Sequence, residues 1–186
     1  MSNLKEWDKY FYDNCVSVSK GTKCLSRQIG TVLVKDNSII STGYNGPPRG
    51  VPHCDVRHQY DNRLLAAYKK LDPYFNKNIK VTKCPRQILG FKSGEGLEWC
   101  VAGHAEENSI LNAARYGIKT KGATLYMNCG IPCSKCLIKI INSGIVEIIV
   151  TKFQYYDISS EYLLRQSNLN VRLFSHLKGI ESNERY

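Results

Sequence analysis

Several features that define large classes of proteins are missing from this sequence. No apolar run approaches the roughly 20 residues that a membrane-spanning helix needs, and the first residues, Met-Ser-Asn-Leu-Lys-Glu-Trp, do not have the pattern of a secretion signal. These absences predict a protein of the cytoplasm, or of the host cytoplasm if its source is viral. Internal repeats and low-complexity segments are also absent, and the length predicts a single domain over residues 1–186.

Negative charge is scarce. The chain has 16 Asp and Glu residues against 26 Lys and Arg residues, a net charge of +10, and this excess favours an anionic ligand, although an ordinary basic surface accounts for part of it. No run of basic residues is longer than two, so the sequence has no polybasic arm for a nucleic-acid duplex or a membrane. The charge alone does not separate a nucleotide from a polynucleotide ligand.

Cysteine, by contrast, is abundant, with eight residues. In a chain without a secretion signal, this number indicates metal or thiol chemistry in a reducing compartment and not disulfides. Cys15 is the exception, because it lies on the apolar stripe of a helix predicted over residues 4–19 and is better explained by core packing.

Two short motifs carry the strongest chemical signal. His104-Ala105-Glu106 is followed, after 25 intervening residues, by Pro132-Cys133-Ser134-Lys135-Cys136. A catalytic zinc takes three protein ligands and keeps a fourth position for water, and we predict that His104, Cys133 and Cys136 are those ligands. The same combination, with a carboxylate that does not bind the metal, characterises zinc-dependent nucleobase deaminases.

Helix geometry explains the spacing within these motifs. Pro132 suits the first position of a helix over residues 132–143, which would place Cys133 and Cys136 on one face of its first turn. Both sulfurs would then face unpaired N–H groups and the positive end of the helix dipole, which favour thiolates. Glu106, near the start of a helix over residues 104–116, would act as the general acid and base. A purely structural zinc would have no use for it.

The rest of the chain has an α/β pattern. A hairpin is predicted from β-branched runs at residues 30–34 and 38–42, and further strands at 123–129, 145–151 and 171–174. A further helix begins at Asp157. Both motifs therefore stand where helices start beside strand ends, the usual location of a site in such sheets.

Two irregular segments interrupt this pattern. Residues 43–50 (Gly-Tyr-Asn-Gly-Pro-Pro-Arg-Gly) either approach a ligand closely or form an ordinary turn, and the directional hydrogen-bonding groups of Asn45 and Arg49 favour a ligand. Residues 51–103 form a loop-rich insertion with a short helix predicted over residues 57–70. An insertion of this kind needs something that orders it.

Four further cysteines, Cys24, Cys54, Cys84 and Cys100, lie in or beside loops. Together they could form a closed Cys₄ zinc site that orders the insertion, with His53 as a substitute ligand. None of them is paired in a C-x-x-C motif, so four unrelated thiols remain the alternative.

With these residues assembled, the chain resembles the deoxycytidylate (dCMP) deaminases of the cytidine deaminase superfamily, including those of bacteriophages. The resemblance covers nearly the whole chain, and the Gly-Tyr-Asn-Gly loop narrows it to dCMP. It implies a three-layer α/β/α fold around a five-stranded mixed sheet, a homohexamer, and hydrolysis of dCMP to dUMP and ammonia for thymidylate synthesis. It also implies activation by dCTP and inhibition by dTTP. The segments that carry it are Lys23-Cys24, Gly30-Thr31-Val32, residues 42–50, His53-Cys54-Asp55, residues 104–108, Ala113-Ala114-Arg115 and residues 132–136.

The resemblance also implies roles for individual residues. Substrate contacts fall on Asn45, Ala105 and Tyr156, with Tyr156 packing on the base, and a second zinc in some relatives matches the four cysteines above. A triphosphate effector, with Mg²⁺, or else a subunit contact, would lie near Arg27, Gly43, Tyr44, Asn45, Gly46, Arg49 and Arg115. Pro48 and the long 51–103 segment depart from the family pattern, which leaves the effector response open. Whether dCTP is also a substrate is open as well.

Two other functions share part of this pattern. A polynucleotide deaminase, acting on tRNA adenosine or single-stranded DNA cytidine, would carry the same zinc motif, but the sequence shows no aromatic-studded basic groove. A non-enzymatic, zinc-stabilised binding module is the second alternative, and Glu106 argues against it.

Overall fold

The computed structural model describes residues 2–175, with side chains from Glu6 onward. Met1 and residues 176–186 of the predicted domain lie outside this range. The chain divides into two compact units. The sheet unit comprises Met1–Gly21, Ile29–Tyr44 and His104–Tyr186, and the loop unit comprises Thr22–Gln28 and Asn45–Gly103. The predicted 51–103 insertion falls within the loop unit, and the assignment of one domain stays a prediction.

The described residues form six α-helices and five strands. In chain order these are α1 (Ser2–Ser19), β1 (Gly30–Lys35), β2 (Ser38–Tyr44), α2 (Asn62–Leu71), α3 (Pro85–Ile88), α4 (Ala105–Arg115), β3 (Thr124–Met127), α5 (Ser134–Asn142), β4 (Glu147–Val150), α6 (Ile158–Gln166) and β5 (Asn170–Leu173). Short 3₁₀ turns occur at Arg57–Gln59 and Leu97–Trp99.

The five strands form one mixed sheet in the order β2-β1-β3-β4-β5. β1 runs antiparallel to β2 and to β3, whereas β3, β4 and β5 are mutually parallel. The β1–β2 hairpin turns at Asp36 and Asn37, whose φ angles of 50° and 56° are left-handed, as a tight hairpin turn requires. The hairpin and the strand order agree with the predicted α/β pattern.

Helices cover both faces of the sheet. Because side chains alternate along a strand, Leu33 and Ile148 point toward one cluster, which includes residues of α4, α5 and α6. Val32 and Ile149 point toward the other, which Phe11 and Cys15 of α1 complete. The three-layer α/β/α fold is thereby confirmed, and Cys15 is fully buried in the core, as its position on the apolar stripe predicted.

Two glycines allow helices to approach the β1–β2 hairpin closely. A Cβ atom on Gly30 would lie 2.1 Å from the carbonyl oxygen of Cys15 in α1. A Cβ atom on Gly43 would lie 2.2 Å from the carbonyl oxygen of Ala105 in α4. Neither position could accept a side chain without a shift of the helix packed against it. The close contact at Gly43 therefore sets the distance between β2 and the first turn of α4.

A buried ion pair joins α1 to β5. Asp8 is fully buried, and Arg172 donates to both of its carboxylate oxygens, at 2.8 and 2.9 Å. The backbone N–H of Ser175 donates to the same carboxylate at 2.7 Å. Burial alone would raise the pKa of Asp8, but the hydrogen bonds from Arg172 and Ser175, together with the charge of Arg172, lower it.

The loop unit has a small core of its own. Leu64, Tyr68 and Val81 are buried together, with Phe75 among the side chains packed against them. The helix predicted over residues 57–70 is wrong at its start, because Asp61 caps α2 by accepting from the N–H groups of its first turn. The residues before this cap form only a 3₁₀ turn.

Among the described residues, none of the helices combines the length and apolar character that crossing a membrane requires.

Candidate active site

The ends of two helices bring the three predicted metal ligands together. His104 is the N-cap of α4, Cys133 is the N-cap of α5, and Cys136 lies in the first turn of α5. Nδ1 of His104 lies 3.5 Å from the sulfur of Cys133 and 3.3 Å from the sulfur of Cys136. Both cysteines are buried, whereas His104 is partly exposed to solvent.

This geometry fits a tetrahedral zinc. With Zn–S bonds of about 2.3 Å and Zn–N bonds of about 2.0–2.1 Å, a ligand nitrogen and a ligand sulfur lie about 3.5 Å apart. The distances from His104 match this value. All three ligand atoms lie within 4.8 Å of one another, and in the described part of the chain no fourth His, Cys, Asp or Glu joins the group. Three protein ligands with a free fourth position are typical of a catalytic zinc site.

The position of Pro132 differs from the prediction. α5 begins at Ser134, so Pro132 precedes the N-cap and is not the first helical residue. Cys133 has an extended backbone, with φ −65° and ψ 159°, because it is the residue at which the chain turns into the helix. The two cysteines therefore flank the helix start, and both sulfurs still lie at its N-terminal end.

The protons in this cluster are shared among its members. A hydrogen bond from the Cys136 thiol, and a weaker contribution from His104, lower the pKa of the Cys133 thiol. The neighbouring Cys133 sulfur in turn raises the pKa of Cys136. The hydrogen bond with Cys133 also raises the pKa of His104. The pKa values of the two thiols are thus shifted in opposite directions, and a divalent cation would stabilise both thiolates.

Glu106, the second residue of α4, is the predicted general acid and base. Its side chain is buried, with a residue exposure of 5%, and burial raises the pKa of its carboxyl group. His104 and Cys133 also shift this pKa, in opposite directions, so the carboxyl group lies in the electrostatic field of the metal ligands. Glu107, by comparison, forms an ion pair with Lys139 at 2.5 Å.

No ion pair among residues 2–175 involves Glu106. Its carboxyl group is therefore neither neutralised nor held by a cation, as a group that exchanges protons requires.

Hydrogen bonds to the hairpin hold α4 in place. The side-chain amide of Asn108 donates to the carbonyl of Tyr44 at 2.8 Å, and that of Asn112 donates to the carbonyl of Thr42 at 2.9 Å. The buried hydroxyl of Thr31 lies 3.0 Å from the carbonyl of Ala105, to which it can donate. The helix that carries Glu106 is thus fixed to the edge strand of the sheet.

The three residues predicted to contact the substrate differ in burial and in hydrogen bonding. In the sheet unit, Ala105 is fully buried, and Tyr156 is half exposed in the segment that precedes α6. In the loop unit, Asn45 is buried and its side-chain amide donates to the carbonyl of Arg27 at 3.0 Å. A contact of these three residues with substrate stays a prediction.

The predicted effector residues also fall in both units. In the sheet unit, Gly43 has the packing role described above, the ring of Tyr44 packs on Gly21, and Arg115 lies 5.4 Å from the centre of the Tyr116 ring.

In the loop unit, the guanidinium of Arg27 contacts the hydroxyl of Ser93 at 3.5 Å, and Gly46 pairs with Gly103 in an isolated β-bridge. Arg49 is exposed. The effector role of all these residues stays a prediction.

The four cysteines predicted to bind a second zinc, Cys24, Cys54, Cys84 and Cys100, all lie in the loop unit. Burial raises the pKa of Cys54 to about 11, and Cys84, Cys24 and Cys100 contribute to this rise in that order. The four thiols are therefore neighbours. They are not as compact as the first group, because no three ligand atoms of the described loop unit lie within 4.8 Å of one another.

A buried hydroxyl accompanies these thiols. Tyr68 is 1% exposed, and its hydroxyl group has no hydrogen-bond partner among the described residues. Burial, followed by Cys54 and Cys84, raises the pKa of this hydroxyl. An unpartnered donor thus lies in the field of the two buried thiols. His53 is not among the groups that shift the pKa of Cys54.

Two residues near the site were not predicted to have a role there. The carboxylate of Asp157 accepts a hydrogen bond from the backbone N–H of Ser134, and the buried hydroxyl of Ser160 lies 3.1 Å from the carbonyl of Pro132. The signal that could have found them is the D-x-x-S spacing at the start of α6, which is typical of a helix cap.

Known proteins resemble this chain throughout most of its length. The model of the cytidine and deoxycytidylate deaminase zinc-binding region matches residues 5–152. The deoxycytidylate deaminase of Enterobacteria phage T2 is 35% identical over 137 residues, which are 71% of this chain and 72% of the phage protein. The deoxycytidylate deaminase of Saccharomyces cerevisiae is 31% identical over 169 residues, 91% of this chain.

The chain spans less than half of the yeast relatives, 45% of the Saccharomyces cerevisiae protein and 44% of the Schizosaccharomyces pombe protein. Among solved structures, the dCMP deaminase of cyanophage S-TIM5 in complex with dCMP and dUMP has a TM-score of 0.60 at 18% identity. That alignment covers 90% of this chain and 96% of the cyanophage chain, and it supports the fold. The resemblance seen in the sequence is confirmed, and the chain belongs to the cytidine and deoxycytidylate deaminase zinc-binding family.

Proposed function

We propose that this protein hydrolyses dCMP to dUMP and ammonia. The observation that carries the proposal is the compact group of His104, Cys133 and Cys136 with the buried, unpaired carboxyl group of Glu106 beside it. The relatives in phage T2 and in yeast are named deoxycytidylate deaminases. The cyanophage protein of the same fold was crystallised with dCMP and dUMP.

In the proposed mechanism, His104, Cys133 and Cys136, at the N-terminal ends of α4 and α5, would hold zinc. Zinc in a site with three protein ligands acidifies water and so supplies a nucleophile at neutral pH. Glu106 accepts a proton from the attacking water and delivers it to N3 of the cytosine ring as the C4–O bond forms. It then accepts the proton of the new C4 hydroxyl and transfers it to the amino group, so that the C4–N bond breaks as the C4 carbonyl forms, and dUMP and ammonia are released.

The burial of Glu106 suits this role. A solvated carboxyl group holds a proton too weakly to deliver it to the ring near neutral pH, and burial raises the pKa of Glu106 toward the range in which transfer is efficient. The bonds from Asn108 and Asn112 to β2 keep the helix that carries this carboxyl group from moving during the reaction.

A substrate panel tests the proposal. The zinc-loaded protein is incubated separately with dCMP, dCTP, cytidine, deoxycytidine and a short cytosine-containing DNA strand, and ammonia release is measured. We expect the highest kcat/KM for dCMP. Turnover of the strand alone would favour the polynucleotide deaminase, and no turnover of any compound would favour the zinc-stabilised binding module. Turnover of dCTP would add a second substrate.

For the loop unit we propose a structural zinc bound by Cys24, Cys54, Cys84 and Cys100. The effect of Cys84, Cys24 and Cys100 on the pKa of Cys54 supports this site, as does the buried hydroxyl of Tyr68, which could donate to a thiolate. Binding would draw the sulfurs to about 3.8 Å of one another, as tetrahedral coordination with Zn–S bonds of about 2.3 Å requires.

Zinc content per chain tests the second site. We expect two zinc ions per chain in the wild-type protein, one in Cys54→Ser, and two in His53→Ala. One ion in the wild-type protein would contradict the second site. Loss of one ion in His53→Ala would show that His53 is a ligand in place of one of the four cysteines.

We further propose that the protein is a homohexamer that supplies dUMP for thymidylate synthesis and responds to dCTP with Mg²⁺ and to dTTP. None of the eight cysteines, all of which lie within the described residues, forms a disulfide, which fits the reducing conditions of the cytoplasm. We expect dCTP to raise and dTTP to lower dCMP turnover, and Arg115→Ala to weaken both effects. Arg165→Ala, which removes an exposed charge of α6, is the control. Light scattering measures the oligomeric state.

A further inference from the structure

The first turn of α6 contacts the Cys133 turn on both of its sides. One carboxylate oxygen of Asp157, the N-cap of α6, accepts a hydrogen bond from the backbone N–H of Ser134 at 3.1 Å. The hydroxyl of Ser160, a fully buried residue, lies 3.1 Å from the carbonyl oxygen of Pro132 and 2.9 Å from the Asp157 oxygen that caps α6, so both oxygens can accept from it. Cys133 is the residue between these two contacts.

Helix capping alone does not explain this arrangement. To cap α6, Asp157 needs only its bond with the backbone N–H of Ser160, which its other oxygen accepts at 2.7 Å. The bond with Ser134 instead joins α6 to α5. It satisfies one of the N–H groups at the start of α5 that have no partner within their own helix. The carboxylate of Asp157 thus serves two helices at once.

The two contacts restrict both backbone angles of Cys133. Each peptide group is planar. The contact with the Pro132 carbonyl therefore restricts the peptide plane that precedes Cys133, and the bond with the Ser134 N–H restricts the peptide plane that follows it. The angle between these planes is set by φ and ψ of Cys133. A fixed backbone in turn limits where the sulfur of Cys133 can lie relative to Nδ1 of His104 and the sulfur of Cys136.

We infer that Asp157 and Ser160 are positioning residues for Cys133, and that they set the geometry and affinity of the metal site through the backbone on either side of this ligand. The inference rests on the metal site proposed above. Residues that orient a metal ligand in this way typically contribute a factor of about 10–100 to metal affinity.

Cobalt(II) gives a direct readout, because tetrahedral thiolate coordination produces visible absorption bands that zinc does not. The metal-free full-length protein is titrated with Co²⁺ alone, and the bands lost in Cys133→Ser are assigned to this site. We expect Asp157→Ser and Ser160→Ala each to shift these bands and to weaken Co²⁺ binding by about 10–100-fold.

The variants separate positioning from folding. Serine is also a good N-cap, so Asp157→Ser keeps the cap of α6, but its shorter side chain loses the bond to Ser134. Ser159→Ala is the matched control for Ser160→Ala, because it removes the same group from an exposed neighbour in the same turn. We expect Ser159→Ala to leave the bands and the affinity unchanged, and thermal unfolding to show that all three variants fold.

Two results would overturn the inference in distinguishable ways. If the wild-type protein has no bands that depend on Cys133, the metal site itself is wrong. If those bands exist but Asp157→Ser and Ser160→Ala leave both their positions and the Co²⁺ affinity unchanged, the site stands and the positioning role is wrong. An equal effect of Ser159→Ala would also contradict the inference, because it would assign the change to helix stability.

Discussion

The two cysteine-containing clusters of this protein differ in what holds them. In the sheet unit, His104 and Cys133 are the N-caps of two regular helices, and their sulfur and nitrogen atoms are 3.5 Å apart. In the loop unit, Cys54 lies in a turn and Cys84 precedes the four-residue helix α3. The thiols there are neighbours, but they are not drawn into a compact group.

This difference indicates that the fold depends on the metal in one unit and not in the other. In the sheet unit, strands, helices and a large core hold the ligands in place, so the fold should persist when the metal is removed and only the chemistry should be lost. In the loop unit, the core is small and regular structure is sparse, so the metal should contribute to the folding free energy itself. Ligand substitutions and metal removal test this contrast.

The largest effect is expected from loss of a ligand in the sheet unit. Cys136→Ser should reduce dCMP turnover to the background of the assay, because the site loses its metal, while the free energy of unfolding changes little. Cys54→Ser should have the reverse profile, with lower stability and retained turnover at low temperature. Ammonia release and chemical denaturation of both variants measure the two effects. Similar effects of the two substitutions on turnover and stability would contradict the proposed difference between the clusters.

Metal removal should also distinguish the units by their resistance to proteolysis. After treatment with a chelator, we expect cleavage within residues 45–103 to become at least tenfold faster, because the loop unit loses its cross-link. Cleavage in the sheet unit should be unchanged. Limited proteolysis with mass spectrometry locates the cut sites, and readdition of zinc should restore the resistance. Unchanged cleavage of the loop unit would contradict its structural zinc.

A smaller loss of turnover than in Cys136→Ser is expected from Gly43→Ala. The added Cβ would lie 2.2 Å from the carbonyl oxygen of Ala105, so α4 must move away from β2 and carry Glu106 with it. Overpacking of this kind typically costs about 1–3 kcal/mol, and misplacement of a catalytic group by about 1 Å can reduce the rate by about a hundredfold. Thermal unfolding and kcat measure the two consequences.

Gly46→Ala is the matched control for this prediction. Gly46 lies in the loop unit and has no positive φ, and a Cβ atom added there would meet no other atom within 4 Å. We expect no change in stability or kcat beyond the experimental error. A loss of activity in Gly46→Ala, but not in Gly43→Ala, would show that close packing of β2 on α4 does not set the site.

The smallest effect concerns stability alone. Because the pKa of Asp8 is lowered in the folded protein, its ion pair with Arg172 stabilises the fold above the unfolded pKa of about 3.9, and this contribution is lost as the pH falls through the folded pKa. Asp8→Asn should therefore reduce stability by about 1–3 kcal/mol at pH 7 and by less near pH 3.

Denaturation of the metal-free wild-type protein and of metal-free Asp8→Asn across pH 3–7 checks this prediction. A difference between the wild-type protein and Asp8→Asn that does not change with pH would contradict it. Since Asp8 and Arg172 both belong to the sheet unit, the same experiment shows whether that unit stays folded without metal.

The sequence predicted those parts of the structure that short-range patterns determine. A β-branched run located β1 and an almost continuous apolar run located β4, and the H-x-E and P-C-x-x-C motifs located the site, because ligand types are encoded within a few residues. The start of α5 was placed two residues too early, since the local preference of Pro132 for a first helical position does not reveal that Cys133 is the cap.

Long-range hydrogen bonds could not be predicted in the same way. Asp157 and Ser134 are 23 residues apart in the chain, and Asp8 and Arg172 are 164 apart. Each residue alone looks like an ordinary helix or surface residue. Their roles follow only from the packing of α6 on α5 and of α1 on β5, which no local pattern specifies.

The most direct test of the central claim compares two adjacent carboxylates in the zinc-loaded protein. Glu106→Gln should retain its zinc but lose about a thousandfold in dCMP turnover, because general acid–base catalysis typically contributes a factor of about 10²–10⁴. Glu107→Gln removes an ion pair with Lys139 and a small charge effect on the pKa of Glu106, and it should keep most of the activity. Ammonia release by Glu106→Gln at a rate near that of the wild-type protein would contradict the account.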